Sequence, residues 1–163
     1  MTMWSGKTVL ITGGSSGIGR LMAKKCLDRH VKRLVIWGLN QKRLEEFQRE
    51  HVDDPATIEV KRVDLSSLEE IKRAAKDCAD VDMLLNNAGI VVGKSFAEHT
   101  HGEIEKTLKV NTSALMHLSL EMIGKMKKRG RGHIVNISSA AGMVSNPQMS
   151  VYCASKWAVI DRK

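Results

Sequence analysis

The sequence predicts an α/β fold in which a doubly wound parallel sheet carries helices on both faces. Two observations support this: short apolar runs alternate with longer amphipathic stretches, and a glycine-rich turn follows the first apolar run. The chain has 163 residues, 42% of them hydrophobic, which suffices for one buried core. We therefore expect a single domain over residues 1–163, built from right-handed βαβ units, with ligands bound beyond the carboxyl ends of the strands.

Five short runs rich in β-branched residues and leucine predict buried parallel strands. They are Thr8–Thr12, Arg33–Trp37, Thr57–Val63, Met83–Asn86 and His133–Ser138. A sixth strand completes a doubly wound sheet, so we expect this sheet to be incomplete at its C-terminal end. Four amphipathic stretches predict the crossover helices, namely Gly17–Asp28, Gln41–Glu50, Ser67–Asp77 and Glu103–Lys128.

The charge balance is basic, with 26 Lys and Arg against 18 Asp and Glu and a net charge of +8. Such a balance suits nucleic acid, membrane surfaces or anionic small molecules as partners. The densest basic run, Lys125–Arg131, lacks the interleaved aromatic residues that stack on bases. It also lies where a helix is expected to end, and cations there complement the helix dipole. We therefore interpret the run as a solvated helix end and expect no nucleic-acid partner.

Three cysteines, Cys26, Cys78 and Cys153, show no paired spacing, which argues against a disulfide framework and a zinc site. This fits a reducing, cytoplasmic location. His99 and His101 have no further ligands at metal spacing, so we expect no metal site. No stretch approaches the length of a membrane span, so we expect a soluble protein without one.

The glycine-rich turn after the first strand is the first candidate site, and it reads Gly13-Gly14-Ser15-Ser16-Gly17-Ile18-Gly19. Glycines allow a pyrophosphate to approach the backbone closely, and free amide groups at a helix start donate hydrogen bonds to an anion. The alternative is a turn that merely connects a strand to a helix. The position between a strand and an amphipathic helix favours phosphate binding.

Tyr152 and Lys156 form the second candidate site, because side chains four residues apart in a helix are neighbours on one face. Lowering the pKa of an ordinary phenol from about 10 to about 7 for acid/base catalysis requires a preference for the phenolate of roughly 4 kcal/mol. An ammonium ~5 Å away contributes roughly 3 kcal/mol at an effective dielectric of about 20. Taken alone, the pair is equally consistent with two exposed helix residues.

The motifs together resemble the short-chain dehydrogenase/reductase family. The resemblance rests on the G-x-x-x-G-x-G spacing, on Asn86-Asn87-Ala88-Gly89 after the fourth strand, and on Ser139 thirteen residues before Tyr152-Cys153-Ala154-Ser155-Lys156. It implies a Rossmann-type fold and an NAD(P)-dependent oxidoreductase that transfers a hydride between nicotinamide and a ketone or secondary alcohol. It also implies a homo-oligomer where the fold is complete.

The resemblance implies four catalytic residues. Tyr152 exchanges a proton with the substrate oxygen, Ser139 hydrogen-bonds the same oxygen, and both therefore contact substrate. Lys156 supports Tyr152 and holds the nicotinamide ribose, while Asn111 supports a water-mediated proton path. The implied cofactor contacts are Gly13, Ser15, Ser16, Gly17, Ile18, Gly19, Asn40, Asp64, Leu65, Asn87, Ala88, Gly89, Tyr152 and Lys156. On the residues alone, Asp64 is equally suited to cap the following helix.

The end of the second strand bears on the choice between NAD and NADP. Gly38 lies where NAD-preferring family members carry Asp, and Leu39 lies where many NADP-preferring members carry Arg. Absence of the carboxylate removes repulsion against a 2′-phosphate, and Lys42 and Arg43 are candidates to reach it. We therefore expect NAD(P) with a slight preference for NADP.

Family members continue well past the Tyr152 helix into further strands and a segment that closes over substrate. The chain is therefore expected to be C-terminally truncated relative to the family. Two hypotheses follow from this. The chain is either an active oxidoreductase, or a catalytically incompetent form that serves only as a nucleotide-binding or dimerisation module.

Overall fold

A computed structural model describes residues 3–160; the first two residues and residues 161–163 of the predicted domain lie outside the described residues. Within these described residues, five strands form one sheet: β1 (Thr8–Thr12), β2 (Arg33–Gly38), β3 (Thr57–Arg62), β4 (Met83–Asn86) and β5 (His133–Asn136). All neighbouring pairs are parallel, in the order β3-β2-β1-β4-β5. The parallel α/β sheet predicted from the sequence is confirmed.

In the described part of the chain, six α-helices connect and cover the strands: α1 (Gly17–Leu27), α2 (Gln41–Glu50), α3 (Leu68–Ala75), α4 (His101–Leu108), α5 (Ala114–Lys128) and α6 (Ser150–Trp157). The long helix predicted from Glu103 to Lys128 is interrupted, because a π-helical turn, Lys109–Ser113, separates α4 from α5. Short 3₁₀ turns lie at Phe96–Glu98 and Ala140–Gly142. Within residues 3–160, no helix is both long enough and apolar enough to cross a membrane.

The hydrophobic core has two layers, one on each face of the sheet. Alternate residues of a strand point to opposite faces, and β1 accordingly divides between the layers. Leu10 packs with residues of α3 and α5, whereas Val9 and Ile11 pack with residues of α1 and α2. The predicted covering of both faces by helices is confirmed, and burial of these apolar side chains stabilises the sheet.

The two edge strands depart from the prediction that all five strands are buried. In β3, every residue is exposed or partly buried, and Ile58 and Val60 pack toward the α1 and α2 layer. In β5, Ile134 packs toward the α3 and α5 layer, whereas Val135 is 39% exposed. Each of these strands pairs with one neighbour and is covered on one face, so the prediction of burial was wrong for both.

The basic run at the end of α5 binds backbone carbonyls. The predicted helix end is confirmed. Lys125 and Arg129, however, are half-buried rather than fully solvated, and both have partners in the protein. The Lys125 ammonium donates to the carbonyl of Ala75 at the end of α3, and the Arg129 guanidinium donates to the carbonyls of Ala79 and Val81. The interpretation as a solvated helix end was therefore wrong at these two positions, because carbonyls that follow α3 need donors.

Candidate active site

The glycine-rich turn packs the start of α1 against the residues that follow β4. Gly13 has a φ of +68°, and a Cβ at this position would lie 3.0 Å from the Cα of Ala88. A Cβ on Gly19 would lie 2.2 Å from the carbonyl oxygen of Gly13 and 2.5 Å from Nδ2 of Asn87. Such approaches admit only glycine. The backbone amides at the start of α1 are therefore held at the end of the sheet, where a phosphate can accept their hydrogen bonds.

Thr12 joins this turn to the end of β4, a role that the sequence did not predict. Its Oγ1 accepts hydrogen bonds of 3.1 Å from the backbone amides of Asn87 and Ala88. In return, Nδ2 of Asn87 donates to the carbonyls of Thr12 at 3.0 Å and Gly13 at 3.4 Å. The side chain of Asn87 is thus used to fix the turn, which keeps the two strand ends in register.

A cavity of about 720 Å³ lies beyond the carboxyl ends of the strands, a size typical of small-molecule sites. Eleven predicted cofactor residues line it: Gly13, Ser15, Ser16, Ile18, Gly19, Asn40, Asp64, Leu65, Asn87, Ala88 and Gly89. The predicted contacts Gly17, Tyr152 and Lys156 are not among its lining residues. The lining also includes residues without a predicted role, namely Val63, Ile90, Val92, Glu103, Lys106 and Val110.

Asn40 and Asp64 line the cavity and also form local turns. Asn40 Oδ1 accepts a hydrogen bond of 3.0 Å from the amide of Arg43 and so caps α2. Asp64 Oδ1 accepts from the hydroxyl of Ser66 at 2.7 Å and from its amide at 2.8 Å. These two hydrogen bonds hold the pKa of Asp64 below its ordinary value. Ser67 caps α3, so the alternative of a cap at Asp64 was wrong.

Asn111 lies fully buried in the π-helical turn and binds two other segments. Its Oδ1 accepts from the amide of Ile90 at 2.8 Å, and its Nδ2 donates to the carbonyl of Ile90 at 2.9 Å. The same Nδ2 donates to Oγ of Ser155 at 3.0 Å, and that hydroxyl donates to the carbonyl of Tyr152 at 2.6 Å. Asn111 therefore connects the loop after β4 to α6, and π-helical turns are frequent at functional sites.

Lys156 places a buried cation beside Tyr152. Only 4% of Lys156 is exposed, and its Nζ donates to the carbonyl of Ile137 at 2.9 Å. The Nζ lies 6.0 Å from the ring centroid of Tyr152 and 3.5 Å from the position that a Cβ on Gly89 would take. Burial lowers the pKa of Lys156. The helical neighbourhood of Tyr152 and Lys156 predicted from the sequence is confirmed, and Gly89 brings the cavity wall next to the lysine.

Ser139 begins the 3₁₀ turn after β5, and its Oγ accepts from the amide of Ala141 at 3.2 Å. Both Ser139 and Tyr152 are half-buried, and no hydrogen bond joins their hydroxyls within the described part of the chain. The preceding Ser138 donates to the carbonyl of Lys156 at 2.8 Å. Ser138, which had no predicted role, therefore anchors α6 to the segment that carries Ser139.

Residues 7–161 match the model of the short chain dehydrogenase family. The chain belongs to the short-chain dehydrogenase family. The resemblance stated from the glycine turn, the Asn87 motif and the Tyr152 to Lys156 pair is thereby confirmed. Proteins of this family are oxidoreductases, which matches the two groups of residues described above.

The chain is also similar to individual short-chain dehydrogenases. It is 39% identical over 160 residues to estradiol 17-beta-dehydrogenase 11 of Pongo abelii, covering 96% of this chain and 53% of that protein. The chain thus spans about half the length of the curated relatives it matches. A metagenomic short-chain oxidoreductase in complex with NADP has a TM-score of 0.89 and 31% identity, over 97% of this chain and 72% of that one. A short-chain dehydrogenase/reductase from Burkholderia phymatum in complex with NAD has a TM-score of 0.90 and 29% identity, over 98% and 58%.

Proposed function

We propose that this chain carries the cofactor-binding and proton-transfer residues of an NAD(P)-dependent oxidoreductase that interconverts a ketone and a secondary alcohol. The observation that carries the proposal is the position of Lys156, which is buried beside Tyr152 and next to Gly89 on the cavity wall. The glycine on the cavity wall and the titratable pair of Tyr152 and Lys156 therefore lie together at one end of the sheet. Complexes of similar short-chain dehydrogenases with NADP and NAD support the choice of cofactor.

The residues of the cavity fit a nicotinamide dinucleotide. Gly13 and Gly19 keep the backbone of the turn free of side chains, so the amides at the start of α1 are positioned to hold a pyrophosphate. Asp64 and Leu65 line the cavity beyond β3, where the adenine would lie. When bound, the nicotinamide would supply or accept the hydride, and the protein supplies its orientation and the proton.

The proton is assigned to Tyr152. During reduction its hydroxyl donates a proton to the oxygen of the substrate, and during oxidation it accepts one. The buried ammonium of Lys156 lies 6.0 Å from the ring centroid of Tyr152, so a charged side chain is held beside this phenol. Ser139 would hydrogen-bond the substrate oxygen and orient it toward Tyr152. Asn111, through Ser155, holds the helix on which Tyr152 and Lys156 lie.

A second candidate function is a nucleotide-binding or dimerisation module without turnover. The observation that favours it is that neither Tyr152 nor Lys156 lines the cavity, so binding of a nucleotide there does not require the proton-transfer residues. Both candidates require the same cavity, and they differ only in whether Tyr152 meets a substrate.

Turnover of the purified chain separates the two candidates. Binding of NADH and NADPH is measured first, and loss of nicotinamide absorbance is then followed with a panel of ketones. We expect binding together with turnover. Binding without turnover for any ketone would favour the module, whereas absence of binding would refute both candidates.

A further inference from the structure

Two consecutive residues after β5, Ile137 and Ser138, hold opposite ends of Lys156. The carbonyl of Ile137 accepts a hydrogen bond of 2.9 Å from the ammonium, and the hydroxyl of Ser138 donates one of 2.8 Å to the backbone carbonyl of the same lysine. A lysine ammonium sits on a flexible four-carbon stem, so a single contact leaves it several possible positions. Two contacts to one short segment fix the ammonium relative to the backbone that carries it.

The segment that provides both contacts is itself attached to the sheet. The amide of Ile137 donates a hydrogen bond of 2.9 Å to the carbonyl of Asn86 at the end of β4. Ser139, which is proposed to contact the substrate oxygen, follows Ser138 directly in the chain. Ser138 therefore ties Lys156 both to the sheet and to the residue that would orient the substrate.

The hydrogen bond between Ser138 and Lys156 lies in closely packed surroundings. A Cβ on Gly142 would lie 2.6 Å from the carbonyl oxygen of Lys156 and 2.8 Å from Oγ of Ser138. The same carbonyl accepts from the backbone amide of Val159 at 3.3 Å, a longer contact than the one from Ser138. Because the backbone of Gly142 approaches so closely, a water molecule has little room to take the place of the hydroxyl.

The charges around α6 make the position of Lys156 important for Tyr152. α4, the π-helical turn and the 3₁₀ turn after β5 pack against α6. Their ionisable residues are His101, Glu103, Glu105, Lys106 and Lys109. All of these except Glu103 are exposed, and Glu103 pairs with Lys94. On α6 itself, Cys153 is a buried thiol. Solvent screens exposed charges far more than buried ones, so the buried ammonium of Lys156, 6.0 Å from the ring centroid, acts most directly on the phenol.

We infer that Ser138 is a positioning residue of the proton-transfer site, whose hydrogen bond to the carbonyl of Lys156 keeps the ammonium beside the phenol of Tyr152. This inference rests on the proposed function, since it concerns the proton donor assigned there. Ser138 acts through Lys156 and does not itself exchange the proton. Without its hydroxyl, α6 loses an attachment to the sheet, and the ammonium is free to move away from the phenol. The phenolate then becomes less favourable.

Tyr152 is the only tyrosine of the chain, so absorbance reports the ionisation of this one phenol. The absorbance band of tyrosinate is recorded against pH for the wild type, Ser138→Ala, Ser138→Thr and Lys156→Met. Circular dichroism at each pH verifies that the protein is folded. We expect the midpoint to rise by about half a pH unit or more in Ser138→Ala, and by a larger amount in Lys156→Met. Ser138→Thr retains a hydroxyl and is expected to keep the wild-type midpoint.

Ser119→Ala is the matched control for the loss of a serine hydroxyl. Ser119 is half-buried on α5, and its Oγ accepts a hydrogen bond of 3.1 Å from Nδ2 of Asn86. This variant also loses one side-chain hydrogen bond, but not one made to α6, so its midpoint is expected to equal that of the wild type. If Ser138→Ala unfolds at the upper end of the pH range, the titrations are repeated with trimethylamine N-oxide, which favours the folded state.

Three results would overturn the inference. They are an unchanged or lower midpoint in Ser138→Ala, an equal rise in Ser138→Thr, and an equal rise in Ser119→Ala. If Lys156→Met raises the midpoint and Ser138→Ala does not, only this inference fails, and the assignment of Tyr152 and Lys156 stands. If Lys156→Met leaves the midpoint unchanged, Lys156 does not act on Tyr152, and the proposed proton transfer fails together with the inference.

Discussion

The ammonium of Lys156 donates a hydrogen bond of 2.9 Å to the backbone carbonyl of Ile137, although only 4% of this lysine is exposed. The contact ties α6 to the segment that follows β5. The carbonyl of Ile137 is an uncharged partner for this buried cation. Burial accordingly lowers the pKa of Lys156. A buried charge whose hydrogen-bond partner is uncharged is unfavourable for stability. Ionisable groups perturbed by burial in this way are concentrated at functional sites.

Replacement of Tyr152 by Phe tests the proposed proton transfer. The variant loses only the hydroxyl, so ketone reduction is expected to fall by about 100-fold or more, the usual contribution of a general acid. The dissociation constant for NADPH is expected to change by less than about twofold, because Tyr152 does not line the cavity beyond the carboxyl ends of the strands. Steady-state rates and fluorescence titration measure the two quantities. Wild-type rates in Tyr152→Phe would refute the assignment of Tyr152.

Replacement of Lys156 by Met tests the buried cation through the pH dependence of stability. The folded-state pKa of Lys156 lies below its ordinary value of 10.5, so between these two values the unfolded chain binds more protons than the folded chain. The free energy of unfolding of the wild type should therefore rise, relative to Lys156→Met, as the pH increases through this window. Urea denaturation of both proteins at a series of pH values gives the difference. Parallel curves would show that the folded lysine titrates as in the unfolded chain.

Much of the fold was predictable because local periodicity carries the information. The bounds of β1, β4 and α2 agree with the prediction, since apolar runs and amphipathic faces are properties of neighbouring residues. The exposure of β3 and β5 was not predictable in this way. Burial of a strand depends on how many neighbours and helices cover it, which is set by the order of the strands in the sheet.

The candidate site was predictable in part, for the same reason. The glycine turn and the Tyr152 to Lys156 pair are contiguous patterns, and the structure brings eleven of the predicted cofactor residues to one cavity. The π-helical turn at Asn111 was missed, because its hydrogen bonds reach Ile90 and Ser155, which are 21 and 44 residues away. Thr12 and Ser138 were missed for the same reason, since each acts on a segment distant in sequence.

Addition of one methyl group to Gly19 is expected to damage the glycine-rich turn. The Cβ of Gly19→Ala would lie 2.2 Å from a backbone oxygen, so the variant should lose about 1–3 kcal/mol of stability and bind nucleotide more weakly. Gly124→Ala is the matched control, because Gly124 lies in α5 with no atom within 4 Å of its added Cβ. That variant should gain about 0.5–1 kcal/mol. Urea denaturation distinguishes the two, and equal effects would contradict the close approach at Gly19.

The hydrogen bonds of Asn111 predict a graded loss of stability. Asn111→Ala removes the buried side-chain partner of both the amide and the carbonyl of the half-buried Ile90 and one partner of Ser155, so we expect a loss of about 2–4 kcal/mol. Ser155→Ala keeps the two bonds to Ile90 and should lose only about 1 kcal/mol. The free energy of unfolding in urea measures both. A larger loss in Ser155→Ala than in Asn111→Ala would contradict this order.

The cations at the end of α5 are expected to differ in their contribution to stability, although they are neighbours in sequence. Arg129 donates to the carbonyls of Ala79 and Val81, so Arg129→Ala leaves two backbone acceptors without this donor and should destabilise by about 1–3 kcal/mol. Lys128 is exposed, and Lys128→Ala should change stability by less than about 0.5 kcal/mol. Thermal or urea unfolding measures the difference. Because the Arg129 contacts are hydrogen bonds to uncharged carbonyls, the gap between the variants should persist at high salt, where a purely surface-charge effect would disappear.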